Sequence, residues 1–121
     1  MTETINEFLT TEHRLWIAAS INSGGVYSID EVFDFIEAGK LDLYQDERCA
    51  IVYGKETHYL GDVLVIMFAG GDVKALVEAE KKLEKLAKDM GFYAIMLHGR
   101  PGWSKQLKDY KVHAIIMQKV L

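Results

Sequence analysis

The chain has one cysteine, Cys49, in 121 residues. An internal disulfide framework is therefore excluded, and the usage fits a reducing cytosol. Cys49 reads as a small strand residue. No Cys or His has a partner at zinc-ligand spacing, so no metal is expected. There is a single proline, Pro101, and no Pro- or Ser-rich linker, repeat or low-complexity segment. No apolar run approaches the roughly 20 residues of a membrane helix. The longest, Val63 to Ala69, has the length of a buried strand. Met1-Thr2-Glu3-Thr4 lacks the basic and apolar regions of a signal peptide. No Gly-x-Ser-x-Gly elbow offers a nucleophile.

Half of the residues are hydrophobic, the proportion of an ordinary globular chain. The length suits one domain, residues 1–121, with a single core. The net charge of −4 is unevenly spread. Residues 1–60 hold 4 basic and 11 acidic groups, a balance of −7; residues 61–121 hold 10 and 7, a balance of +3. The cationic half attracts phosphates or an acidic partner, or its lysines simply solvate two helices. Aromatics do not interleave with the lysines, so nucleic-acid binding is unsupported.

Periodicity sets the element order. A first helix runs from about Glu12 to Ile21 behind Thr10 or Thr11, with Leu15, Trp16, Ala18 and Ala19 on one face and Asn22-Ser23-Gly24-Gly25 ending it. Ser28-Ile29-Asp30-Glu31 is a capping box. It opens a second helix with an Ile29, Val32, Phe33, Ile36 stripe, closed by Gly39. Three strands follow: Leu41 to Tyr44, Arg48 to Tyr53 after a Gln45-Asp46-Glu47 turn, and Leu60 to Phe68 after a turn at Gly54 to His58. The last is the most apolar and belongs at the sheet centre, and its Gly61 marks a bulge. Asp72 caps a long helix, Val73 to Met90, that ends at Gly91. Val73, Leu76, Val77, Leu83, Leu86, Ala87 and Met90 form its stripe. Glu78–Lys82 and Glu84–Lys88 are favourable i,i+4 pairs. A strand from Phe92 to Leu97, a short helix opened by Pro101 and a closing strand from Val112 to Val120 complete the chain.

This alternation is an α/β (α+β) signature, and strand-to-helix junctions are where such folds keep ligands. The two junctions are Gly70-Gly71-Asp72 and Gly99-Arg100-Pro101-Gly102-Trp103. From Leu60 to Leu121 the order resembles the GCN5-related N-acetyltransferase (GNAT) superfamily without its usual first strand. Met90-Gly91-Phe92-Tyr93-Ala94-Ile95-Met96-Leu97 is similar to that family's Gly-centred entry into its fifth strand. Gly99 to Trp103, followed by Leu107 and Tyr110, looks like the version in small GNAT-like proteins of tailed phages. The resemblance implies a mixed central sheet of five to six strands flanked by four helices. It also implies acetyl-CoA as cofactor, and a cytoplasmic protein, in the host cytoplasm or virion if viral.

Active GNAT proteins hold the cofactor pyrophosphate on a Gln/Arg-x-x-Gly-x-Gly/Ala loop. The matching positions here are Gly70, Gly71, Asp72, Val73 and Lys74. The Gln/Arg and the spaced glycine are absent, and the Asp72 carboxylate competes with phosphate for the same amides. The resemblance makes Tyr110 the candidate general acid; the alternative is packing against Trp103 and Leu107. Asp62, a charge within an apolar strand, is an edge-facing residue or a general base. His98 is a further candidate base and Arg100 an anion anchor, unless both are satisfied by loop backbone and surface. Two functions follow. One is a degenerate GNAT-fold module that binds a host or virion protein. The other is an active acyl-CoA-dependent N-acyltransferase acting on an amine. Exposed sheet edges also allow a homodimer.

Overall fold

The computed structural model describes residues 8–24, 27–97, 107, 109–111, 117 and 119–121. Three helices and four strands lie among them: α1 (Thr11–Gly24), α2 (Ile29–Glu37), β1 (Asp42–Asp46), β2 (Cys49–His58), β3 (Gly61–Gly71), α3 (Val73–Asp89) and β4 (Ala94–Leu97). The strands form one mixed sheet in the order β1-β2-β3-β4. β1, β2 and β3 pair antiparallel, and β4 lies parallel to β3 after the α3 crossover. A parallel neighbour requires such a crossover, because a tight turn reverses direction. The expected helix at Pro101 lies outside the described residues, and of the expected strand Val112–Val120 only Met117, Lys119 and Val120 are described, none of them in a strand.

Each face of the sheet carries its own core. Cys49, Ile51, Leu64 and Ile66 pack on Ala75, Leu76, Ala79, Leu83 and Ala87 of α3. Ala50 and Val52 pack on Ile17 and Ile21 of α1 and on Val32 and Ile36 of α2. Strands covered on both faces read as nearly continuous apolar runs, which is what Val63 to Ala69 displays.

The bulge lies at Met67, not at Gly61. Val52 faces Phe68 while Tyr53 faces Ile66, so Met67 is the extra residue. Side chains alternate strictly along a strand, and one inserted residue inverts the phase. Ile66 therefore faces α3, whereas Phe68 joins the α1–α2 core. Gly61 pairs regularly with His58. Its φ is +142°, and an added Cβ would stand 3.1 Å from the Tyr93 Cβ. The hairpin exit and the passing α3–β4 connection account for the glycine.

Several boundaries move. Gly54 to His58 is the outer half of β2, and the turn is Tyr59–Leu60. Lys55 to His58 are exposed, so they lack the apolar alternation that marks the inner half. The β1–β2 turn is Glu47–Arg48, closed by the Asp46 carboxylate, which accepts from the amides of Arg48 (2.8 Å) and Cys49 (3.0 Å). α1 continues to Gly24. His13, Ile17 and Ile21, four apart, are buried, whereas Leu15 is 61% exposed.

The helix ends behave as their residues dictate. The Ser28 hydroxyl accepts from the Glu31 amide, and Glu31 Oε1 accepts from the Ser28 amide, both at 3.1 Å. α2 and α3 close in the same way. Gly39 (φ 78°) and Gly91 (φ 76°) adopt the left-handed conformation that favours glycine. Lys40 and Phe92 then donate back to Phe35 and Ala87, both at 2.9 Å, completing two Schellman motifs.

Candidate functional site

The Gly70–Lys74 junction is more strand than loop. Gly70 and Gly71 end β3, paired with Ala50 and Cys49. Both glycines serve close packing within the chain. A Cβ on Gly70 would lie 2.6 Å from the Trp16 Cβ and 2.9 Å from the Trp16 carbonyl oxygen. A Cβ on Gly71, whose φ is +119°, would overlap the Arg48 carbonyl oxygen. The amides are largely engaged as well. Ala69 donates to Ser20 Oγ (3.2 Å), and Asp72 donates to the Arg48 carbonyl (2.9 Å). Asp72 is the N-cap of α3, its carboxylate accepting from the Ala75 amide at 3.2 Å. The same carboxylate lies 3.5 Å from the Arg48 guanidinium, which also meets Glu78 at 3.5 Å. Glu78 is thus drawn to Arg48, and Lys82 donates to the Tyr44 hydroxyl at 3.3 Å. Val73 and Lys74 supply the remaining amides of the first turn.

Asp62 stands at the other end of β3. Eight residues separate it from Gly70, about 26 Å along a strand. Its Oδ1 accepts from the Thr57 hydroxyl at 2.9 Å, and Oδ2 lies 3.9 Å from the Lys55 ammonium. The charge is therefore partnered across the hairpin, and it is not assembled with the α3 N-terminus. His98 and Arg100 lie outside the described residues.

Tyr110 has a partner that periodicity conceals. Its hydroxyl donates to Glu80 Oε2 at 2.7 Å. Glu80 sits on the buried face of α3 and is only 6% exposed. Burial pushes its carboxyl above the usual range, against the opposing pull of the Tyr110 hydrogen bond. Burial also raises the Tyr110 pKa, and the Glu80 bond raises it further. A small cavity of about 10 Å³ beside the pair is lined by Ile51, Ile66, Ala69, Leu76, Leu97 and Leu107. A Glu between Ala79 and Lys81 looks like one more charge on a charged helix. The clue is its position four after Leu76 and three before Leu83, which puts it on the buried stripe.

Three further features were not legible as sites. His13 is buried and bridges elements. Its Nε2 donates to the Asp46 carbonyl, which leaves Nδ1 to accept from the Thr10 hydroxyl at 2.7 Å. The Cys49 thiol is buried, and burial followed by the Asp46 charge pushes it up to about 12, so it is an unreactive core residue. An apolar cavity of about 210 Å³ lies under α2 beside the bulge, among Tyr27, Phe35, Met67 and Phe68. Among the described residues no group of three or more His, Cys, Asp or Glu could hold a metal ion. None of the helices among them is long and apolar enough to cross a membrane.

No protein-family model matches the chain. An adenosine deaminase of Clostridium perfringens is 30% identical over 84 residues, 69% of this chain and 20% of the deaminase. The chain thus spans about a fifth of the length of the curated relative it matches. Among solved structures, a point variant of TTHA1254 from Thermus thermophilus is similar, with 18% identity and a TM-score of 0.62 over 93% of this chain and 94% of that one. Wild-type TTHA1254 gives 16% identity and a TM-score of 0.58, covering 93% of each chain. At such identities the likeness is one of fold: this chain and TTHA1254 share an architecture.

Proposed function

We propose that the chain is a GNAT-fold module, related to the small phage proteins it resembles, that has lost its acetyl-CoA site and binds another protein. The observation that carries this reading is the closed Gly70–Asp72 junction. Trp16 and Arg48 occupy the space beside the two glycines. Asp72 caps the amides that a pyrophosphate would need and sets a negative charge beside them. The likeness to a fifth of a larger deaminase fits an accessory unit of this size. No deaminase chemistry is carried over with it.

The surface supplies contacts for a partner. Tyr59 and Leu60 form the tip of the β2–β3 hairpin, where turns ordinarily favour Gly or Asn. Tyr59 is fully exposed. The hairpin is braced by Thr57–Asp62 and by Glu56–His58 at 3.0 Å, so the tip is held in shape before binding. Asp30, Asp34 and Glu37 add an acidic face on α2. A host or virion protein is the partner class to try first, with the cytoplasm as the site of action.

Titration calorimetry with acetyl-CoA tests the lost site. The expected result is no heat at near-millimolar ligand. Micromolar affinity would overturn it and favour the second reading, an N-acyltransferase with Tyr110 as general acid. The Glu80 bond counts against that alternative, because burial and Glu80 hold the Tyr110 proton more tightly than suits an acid that must release it near neutral pH.

A further inference from the structure

Glu80 is an acid placed where charge is costly. Ile51 of β2, Ile66 and Ala69 of β3, Leu97 of β4 and Leu107 line the space around it, and none of these carries a titratable group. The charged or titratable groups that act on it come from two elements. On α3 they are Lys81 and Glu84, and beyond β4 they are Asp109 and Tyr110. Glu84 and Asp109 repel an ionised Glu80, Lys81 attracts it, and Tyr110 gives it one hydrogen bond. An ionised carboxylate has room for several more donors. The adjoining cavity, about 10 Å³, is at the lower limit for a single water. Full hydration of the charge therefore needs Leu107 and Tyr110 to move away. A protonated carboxyl has no such need, because it still accepts from Tyr110.

We infer that the Glu80–Tyr110 pair is a pH-sensitive latch: with Glu80 protonated, Leu107 and Tyr110 stay docked on α3 and the ends of β3 and β4, and with Glu80 ionised that docking loosens. The described anchors of this stretch are few. Leu107 is buried, Tyr110 reaches Glu80, and the Tyr110 amide turns back to the Leu107 carbonyl at 3.1 Å. A carboxyl raised by burial favours the docked state at acid pH, and the advantage is lost as pH rises through its elevated value. Tyr110 keeps its proton throughout, so the donor is never the group that switches. Loosening uncovers Ile66, Leu76 and Leu97, apolar surface that the docked stretch hides.

Two measurements on the full chain test this. The first follows hydrogen exchange in the peptide covering residues 107–111 from pH 4.5 to 8, corrected for the intrinsic pH dependence. Wild-type protection should fall about tenfold for each unit by which the Glu80 pKa exceeds its ordinary value. Glu80→Gln should remain protected at every pH, because its amide oxygen still accepts from Tyr110 and cannot ionise. Wild-type protection that stays flat, or the same pH dependence in Glu80→Gln, would overturn the latch. The second follows the Glu80 carboxyl carbon by NMR, which does not depend on a variant folding. A midpoint well above about 4.3 supports the latch, and a midpoint at that value overturns it.

Discussion

Trp16 of α1 lies directly over Gly70 of β3, with no space for a Cβ between them. The contact fixes how closely α1 approaches the sheet. It also turns a glycine that resembles part of a phosphate cradle into a packing residue. Gly70→Ala should therefore destabilise the fold by about 1–3 kcal/mol through overpacking. Urea unfolding followed by far-ultraviolet circular dichroism measures it. Stability unchanged within error would mean that α1 yields easily, and that the junction is open enough to admit a ligand.

Asp72 separates a cap from a cofactor site. Asn caps nearly as well as Asp, so Asp72→Asn should leave stability almost unchanged, whereas Asp72→Ala should lose about 1 kcal/mol. Neither should acquire acetyl-CoA binding. A clear gain of affinity in Asp72→Asn would show that only the carboxylate had been excluding the pyrophosphate.

Asp46 predicts a limb of the acid stability profile. Burial raises its carboxyl pKa, but hydrogen bonds from the Arg48 and Cys49 amides and the Tyr44 hydroxyl outweigh burial and leave it below the ordinary value. A depressed native pKa gives stability that is present above the unfolded value, about 3.9, and is lost as pH falls through the native one. Urea midpoints should decline in that acid window, and Asp46→Asn should flatten the decline. An identical profile in the variant would assign the acid limb to other carboxyls.

Met67 tests the phase of β3. Deleting it makes Ile66 and Phe68 neighbours that still face Tyr53 and Val52, so plain alternation leaves Ile66 and Ala69 on the α3 core and Phe68 on the α1–α2 core. The deletion should therefore keep cooperative unfolding, as should Met67→Ala, which keeps the register. Differential scanning calorimetry reads the transition, and a deletion variant that loses it would refute the register assignment.

Local chemistry was the legible part of this sequence. Ser28 with Glu31, Gly39, Asp72 and Gly91 each act within a few residues of themselves, and each caps a helix where the sequence places it. Burial was harder to read wherever a distant element decides it. Leu15 is apolar yet exposed, while His13 is buried because Thr10 and the Asp46 carbonyl satisfy its ring. Gly54 looks like a turn residue, but it sits in mid-strand under Leu41, whose side chain takes the space of a Cβ. The same holds for the candidate site. The glycines and Asp72 stood out in the sequence, but only the fold shows Trp16 and Arg48 beside them. Tyr110 stood out through the GNAT resemblance, whereas Glu80 was hidden among the charges of α3 until Leu107 and Tyr110 covered it.

The change of strand direction at β3 orders events in time. β2 and β3 are joined by two residues, whereas about 22 residues separate β3 from β4. Closing the longer connection costs roughly 2 kcal/mol more chain entropy. The antiparallel pair therefore nucleates, and the parallel one waits for α3 to fold across it. Mutational φ-values near one at Ile51 and Val65, and near zero at Ile95, would be the signature of that sequence, and the reverse pattern would exclude it. Late pairing leaves the Leu64–Ile66 edge of β3 open for the longest interval during assembly, so it is there that the nascent chain is most exposed to mispairing.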